Sequence, residues 1–388
     1  MPSVVSPSLA FGTSKASILA PDMTHLLATI SSHGLGHLAQ SAPVLNALRR
    51  RLPDLRLTVA SMLPAERLRA RIEGEFRLEA RPLDFGFEME DAFRVAREAS
   101  AKAYRAVHAG WDDRLTETSS WLTHEQPDLV LANAAYLPLA AAARLGIPAF
   151  GMSSLNWADL FAHVFAGEPW MPPIHAQMLD AYRSASAFIR LTPGMPMPDL
   201  PNGRPAGPVA RLGTNRRGEL RARCGAAADA RIVLLAFGGI DARLPMADWS
   251  FAPALHWLVP GAWRIGHPRV SAIESLGWDF SDLIASVDAV IGKPGYGTFV
   301  EVACNGTPML YAPRPEWPEQ DALIPWLHRH ARARQVSAQA LHSGALDADL
   351  DALWQQPAPM PVLPSGAEEV AALLADACAA PRLPRSPA

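Results

Sequence analysis

The chain has 388 residues, 49% of them apolar and 19% charged, with 35 basic and 38 acidic side chains and a formal net charge of −3. That length carries two ordinary domains with full cores, and the balance excludes a disordered chain and a nucleic-acid-sized basic field. Three widely separated cysteines, Cys224, Cys304 and Cys378, exclude a disulfide framework and suit a reducing, cytoplasmic setting.

Residues 1–22 have no charged segment followed by a long apolar core, so a flexible leader is expected there rather than a signal peptide. His25–Ser31 reads as a strand, and Ser41–Leu52 repeats Val44, Leu45, Leu48 and Leu52 at helical spacing. Leu55–Ser61 is strand-like, and Pro64–Ile72 opens with proline and runs helical. Asp91 to about Gln126 reads as a long helical region broken near Gly110. Leu129–Ala132 and Ala149–Met152 are short apolar strands flanking a helix at Leu137–Leu145. Asn133, Pro138, Arg144, Gly146 and Pro148 interrupt the longest apolar stretch and exclude a membrane span there.

Between Pro193 and Gly213 proline and glycine are too dense for a helix or a central strand, which puts the domain boundary there: 23–205 and 206–388. The alternation then restarts. Strand Ile232–Phe237, turn Gly238-Gly239, strand Ala262–Ile265, helix Ser281–Ser286, strand Ala289–Ile291, helix Thr298–Asn305, strand Met309–Tyr311 and a terminal helix Ala367–Ala379 are expected. The basic tract His328–Arg334 reads as the solvated end of a helix, and no matching apolar face accompanies it to support a membrane-surface role. Strands alternating with helices predict an α/β class with two doubly wound parallel-sheet domains, whose carboxyl ends face a ligand cleft.

Two segments carry candidate chemistry. Ser31-Ser32-His33-Gly34-Leu35-Gly36-His37 follows the first strand, where a substrate loop belongs, and His33 and His37 titrate near neutrality, as taking a proton from a hydroxyl requires. As a zinc site the pair lacks an intervening Glu and a third ligand. Lys293-Pro294-Gly295-Tyr296-Gly297-Thr298 follows a strand in the second half, and its glycines leave backbone N–H groups open to an anion at a helix N-terminus. Lys293 beside that turn reads as solvated, Tyr296 as either stacking on a base or packing under the turn, and Trp317 as packing.

HGLGH and GKPGYGTFVEV together resemble the glycosyltransferase-like part of L-arabinokinases and related bacterial proteins. More distantly they resemble the GT-B glycosyltransferases that use nucleotide sugars, including the enzyme that adds N-acetylglucosamine to the lipid-linked peptidoglycan precursor. Pro127–Val130, Leu145–Pro148, Ser153–Asp159 and Gly238-Gly239 extend the resemblance over about residues 25–330, without the kinase part of the arabinokinases. The resemblance implies a cytoplasmic hexosyltransferase that moves a sugar from a nucleotide-diphosphate sugar, UDP-sugar by default, to a hydroxyl acceptor, with inversion and without a metal or other cofactor. It implies His33, or His37 nearly as well, as the base. Gly238, Gly239, Gly295, Tyr296, Gly297 and Thr298 would lie against the donor, Glu301 on its ribose, and Glu319 and Gln320 on its sugar hydroxyls. Asn133 stands where relatives often carry an Asp that orients the base, so Asp159, Asp112 or another acid would have to stabilise the imidazolium. A nucleotide-sugar epimerase or hydrolase and a non-catalytic nucleotide-sugar-binding module are the alternatives. No nucleic-acid partner is expected.

Overall fold

The computed structural model describes residues 23–238 and 243–379, so the expected leader and Gly239 lie outside the described residues. The first half holds β1 (His25–Ile30), α1 (Gly36–Arg51), β2 (Arg56–Ala60), α2 (Ala65–Arg69), β3 (Arg77–Glu79), α3 (Arg97–Ala109), α4 (Trp111–Glu125) and β4 (Leu129–Asn133). It continues through α5 (Leu137–Arg144), β5 (Ala149–Ser153), α6 (Trp157–Val164), α7 (Met171–Arg183), β6 (Ala187–Leu191) and β7 (Gly203–Ala206). The second half runs α8 (Arg217–Cys224), β8 (Arg231–Ala236), β9 (Leu255–Val259), β10 (Val270–Ala272), α9 (Phe280–Ser286), β11 (Ala289–Gly292), α10 (Tyr296–Asn305) and β12 (Met309–Tyr311). After it come α11 (Gln320–His330), β13 (Ala333–Gln335), α12 (Ala338–Ser343), α13 (Asp347–Gln355) and α14 (Gly366–Ala379).

Two all-parallel sheets result, ordered β3-β2-β1-β4-β5-β6-β7 and β10-β9-β8-β11-β12-β13. The central strands are buried on both faces, which is why β1 (HLLATI) and β4 (LVLAN) read as apolar runs and not as alternation. Both sheets reverse direction between their first and fourth strands, the doubly wound pattern. One apolar layer is common to the two halves: Leu38, Val44 and Leu45 of α1, Phe299 and Val300 of α10, and Val370 and Leu374 of α14 belong to one buried cluster. The last helix thus returns to α1 of the first sheet, and Arg50 and Arg51 pair with Glu368 across that contact.

Three sequence expectations are corrected here. No strand forms at Ala262–Ile265: Gly261–Trp263 is a 3-10 turn, and the strand is Leu255–Val259, ended by Pro260, which has no N–H for the ladder. The helix expected from Asp91 begins only at Arg97, because Asp91 Oδ1 accepts the N–H groups of Phe93 and Arg94 and holds that segment in a turn. The tract His328–Arg334 is only partly a helix end, since Ala333–Gln335 adds the edge strand of the second sheet. Within the Pro/Gly-rich stretch, Gly203–Ala206 also forms an edge strand, a place where Pro205 is tolerated.

Candidate active site

The strand-order reversal in each sheet opens a crevice at the carboxyl ends of its strands. In the first sheet the loop between β1 and α1 carries His33, and the first turn of α1 carries His37; in the second, Lys293–Gly295 leads from β11 into α10. The first loop meets the turn after β8, where Leu35 N–H donates to Gly238 O at 3.4 Å, and α1 meets α10, where a Cβ placed on Gly297 would come within 3.2 Å of Ala39 Cβ. The N-termini of α1 and α10 therefore abut, and neither has a side-chain cap or an acidic residue in its first turn. Both present unpaired N–H groups and the positive end of a helix dipole at one junction.

His37 is fixed by Asn133, at the end of β4. Asn133 Nδ2 faces three acceptors, Ser41 Oγ at 2.9 Å, Gln40 Oε1 at 3.2 Å and His37 O at 3.3 Å. Its other amide atom is therefore the oxygen, which accepts from His37 Nδ1 at 2.8 Å. Nδ1 carries the proton, and Nε2 is left with its lone pair. Burial lowers the imidazole to about 4, partly opposed by the Asn133 bond, so it is neutral at pH 7.

His33 is held by rings. It stacks on Trp317, with centroids 5.3 Å apart and planes 3° from parallel, and meets Trp157 edge-on, also at 5.3 Å. Its Nε2 is buried without a hydrogen-bond partner. Burial, followed by the charges of His37, Arg314 and Lys293, takes it down to about 3.

From Asn133 a hydrogen-bonded path crosses between the two halves. Gln40 Nε2 donates to Ser154 Oγ at 2.8 Å, and Ser154 donates to Glu319 Oε1 at 2.6 Å. Trp317 Nε1 donates to Glu319 Oε2 at 3.1 Å. Every member is buried. Burial pushes the Glu319 carboxyl up, while these two donors and the cations Arg314 and Lys293 hold it down.

Lys293, expected to be solvated, is buried: it lies beneath the turn, and burial and Arg314 push its ammonium well below the usual lysine range. Arg314 is 3% exposed; its guanidinium lies 4.4 Å over the Trp317 ring, and its Nε and Nη2 have no hydrogen-bond partner. Such groups are costly to bury unless an anion completes them.

The other expected site residues divide. Gly238, with φ +79°, contacts the first loop, and Gly295, extended, is the N-cap of α10. Thr298 is half-buried in the first turn of that helix. Tyr296 packs under the turn: its hydroxyl donates to Thr192 O at 3.1 Å and accepts from Val209 N–H at 2.9 Å, clamping the interdomain linker. Glu301 pairs with Arg71 from the first half at 3.3 Å, and burial raises its carboxyl. Gln320 Oε1 accepts from Arg314 N–H at 2.7 Å and braces the loop before α11.

Neither acid suggested as a partner for the histidine pair takes that place. Asp112 is exposed, and Asp159 has its N–H capped by Asn156 in the first turn of α6. Asp84, an acid that no motif marks, is tied to the histidines' surroundings instead. Its Oδ2 accepts from Trp157 Nε1 at 2.8 Å, and the Trp157 ring lies 5.3 Å from His33 and 5.5 Å from His37. Burial pushes Asp84 up to about 6, against its bonds from Trp157 and Ser31. Gln40, in ordinary helix sequence, and Arg314, in the loop before α11, were missed as well, and Ser154, inside the Ser153–Asp159 segment of the resemblance, was given no role there.

Two doubly wound domains facing each other through their switch-point loops make the GT-B fold, the two-domain architecture of nucleotide-sugar glycosyltransferases. No protein-family model matches the chain. It is 27% identical over 299 residues, 76% of its length, to L-arabinokinase of Arabidopsis thaliana, and it spans 28% of that longer protein. Among solved structures it is similar to the glycosyltransferase of kitacinnamycin, with a TM-score of 0.58 and 15% identity over 92% of this chain and 96% of that one. It is also similar to a UDP-glucosyltransferase of Polygonum tinctorium that glucosylates indoxyl (0.57, 14%, 92% and 99%). A candidate UDP-N-acetylglucosamine 2-epimerase of Listeria monocytogenes has the same two-domain shape (0.51, 12%, 92% and 95%). Among the described residues no helix is long and apolar enough to cross a membrane.

Proposed function

We propose that the protein is a glycosyltransferase that moves a sugar from a nucleotide-diphosphate sugar, a UDP-sugar first of all, to a hydroxyl acceptor. One observation carries this: two uncapped helix N-termini, an unpaired buried guanidinium and a buried lysine converge beside an oriented, neutral imidazole. A diphosphate suits the first set, drawing the Lys293 ammonium back toward its ordinary range and pairing Arg314. The imidazole suits the acceptor. His37 Nε2 takes the acceptor proton while the acceptor oxygen bonds to the anomeric carbon and the carbon–oxygen bond to the diphosphate breaks, its electron pair leaving on the phosphate oxygen. A single displacement of this kind inverts the anomeric centre, and the helix ends with Lys293 and Arg314 supply positive charge that a divalent cation would otherwise bring.

His37 is the base in this reading because Asn133 fixes its tautomer, while His33 packs between indoles. Glu301 serves the ribose through the carboxylate oxygen that Arg71 leaves free, and Glu319 serves the sugar once a hydroxyl replaces Ser154. The test is calorimetry with UDP and a panel of UDP-sugars, followed by turnover of His37→Gln and His33→Gln. UDP binding, with turnover lost in His37→Gln by 10²–10⁴-fold and largely kept in His33→Gln, is expected; full turnover by His37→Gln sinks the mechanism. Likeness to the Listeria protein favours a second reading, acceptor-independent consumption of the nucleotide sugar, which UDP or epimer formation with no acceptor present would establish.

A further inference from the structure

Taking a proton on Nε2 turns His37 into an imidazolium whose Nδ1–H faces the amide oxygen of Asn133, a neutral acceptor. A neutral oxygen orients the ring without offsetting the new charge. The aromatic neighbour of that ring is Trp157, fully buried, with centroids 5.5 Å apart and planes at 58°. That separation is within reach of a cation–π contact once the imidazole is charged.

Trp157 spends its one polar side-chain atom on Asp84, donating from Nε1 to Oδ2 at 2.8 Å. The same carboxyl accepts from the Ser31 hydroxyl, and Ser31 Oγ in turn accepts from His33 N–H at 3.2 Å. Two residues on, Gly86 lies so close that a Cβ there would sit 2.9 Å from His33 Cδ2, and the Phe87 ring is 6.1 Å from that of Trp157. The segment Asp84–Phe87 therefore packs around the histidines. Asp84 bonds to the indole on one side and to Ser31 on the other.

We infer that Asp84 is a positioning residue for the base: its carboxylate fixes the Trp157 ring against His37 and enriches the π-face of that ring, supplying through the indole the negative partner that Asn133 does not. This rests on the glycosyltransferase reading. A carboxylate that accepts an indole N–H polarises the ring, and a more negative face holds an imidazolium more strongly. Burial raises Asp84 to about 6, so its charge at pH 8 costs the fold free energy that an Asn, which keeps an acceptor for the indole, would not. An anchor for the indole needs no charge; a partner for an imidazolium does. The titratable and charged groups around Asp84 are His33 and His37 beyond the indole, Tyr104 of α3, Tyr136 before α5, Tyr182 of α7 and Arg81 of its own segment. Burial holds the three phenols above their usual range and both imidazoles neutral, so between pH 5 and 8 Asp84 is the group in this set that changes charge.

The test combines histidine-ring NMR of the full chain with pH–rate profiles on the UDP-sugar that the wild type consumes fastest, for wild type, Asp84→Asn, Trp157→Phe and the double variant. In wild type the His33 and His37 Cε1–H signals should show a step at about pH 6, apart from their own titrations at about 3 and about 4, and kcat should fall on the acid side through the same step. Asp84→Asn should abolish the step and lower kcat at pH 8 by about 3- to 30-fold, the worth of one cation–π contact, with KM unchanged and the melting temperature raised. Trp157→Phe keeps a ring without an N–H; it should also abolish the step, and the double variant should be no slower than the slower single one. A purely structural anchor would leave kcat of Asp84→Asn flat against wild type. That result, no step in the histidine signals, or additive losses in the double variant overturns the inference. Failure of the wild type to bind UDP or to consume any UDP-sugar overturns the glycosyltransferase reading and this inference with it, and is told apart because it precedes any substitution.

Discussion

Replacing Asn133 by Asp tests the imidazole geometry most directly. The substitution puts a carboxylate 2.8 Å from His37 Nδ1 in place of an amide oxygen. Opposite charges about 4 Å apart attract by about 4 kcal/mol at an effective dielectric of about 20, which is roughly three pH units. His37, lowered to about 4 in the native chain, should then titrate near roughly 7. The fold loses a donor in exchange. Ser41 can turn its hydroxyl to donate, but Gln40 Oε1 and His37 O lose their Nδ2 contact, at about 1–3 kcal/mol each if neither finds another donor. The two effects separate by pH. In the native chain the folded His37 value lies below its unfolded 6.5, so its stability contribution is complete above 6.5 and is lost as pH falls toward 4. In Asn133→Asp the folded value is raised, so the variant is relatively most stable below 6.5 and weakens as pH rises through about 7. Histidine Cε1–H NMR titration with thermal melts at pH 5.5, 7 and 8.5 reads both. A His37 midpoint within one unit of the native one would refute the assigned contact.

Asp84→Asn should stabilise the protein at pH 8 by up to about 3 kcal/mol, the worth of a carboxyl raised from 3.8 to about 6, and by little at pH 4. The sign follows from linkage: the folded state holds a proton that the unfolded chain releases between those values, so the cost of Asp84 is complete above about 6 and fades as pH falls; equal melting gains at both pH values would refute it. Ser154→Ala removes one of the two direct donors to Glu319 and should cost about 1–3 kcal/mol in denaturant melts, an unchanged midpoint counting against the interdomain path. Gly86 has φ +63°, and a Cβ there would sit 2.9 Å from His33 Cδ2, so Gly86→Ala should cost roughly 1–3 kcal/mol and shift the His33 ring resonances; a neutral melt with unmoved His33 signals would contradict the packing.

Most of the fold was legible because it is local. Period-2 and period-3.6 apolar patterns, with glycine and proline as punctuation, identify β1, β4, β5, β8 and β11 and the helices after β1, β4 and β11 from residues within one element of each other. The misses were also local in cause. Leu255–Val259 carries His256 and sits just before Pro260-Gly261, which drew attention to the apolar run beyond, and the Asp91 side chain outcompeted helix formation at a stretch otherwise helical in composition.

Local pattern is enough to place two glycine-bearing loops at the ends of strands in two matched α/β halves, one carrying two histidines and the other preceding a helix. Long-range packing selects the oriented histidine, because His37 and Asn133 are 96 positions apart, and brings Ser154 to Glu319 across 165. Burial decided the rest. Lys293 went under the turn, Tyr296 onto the linker and Asp84 against Trp157, through desolvation and long-range packing that no window of neighbouring residues encodes.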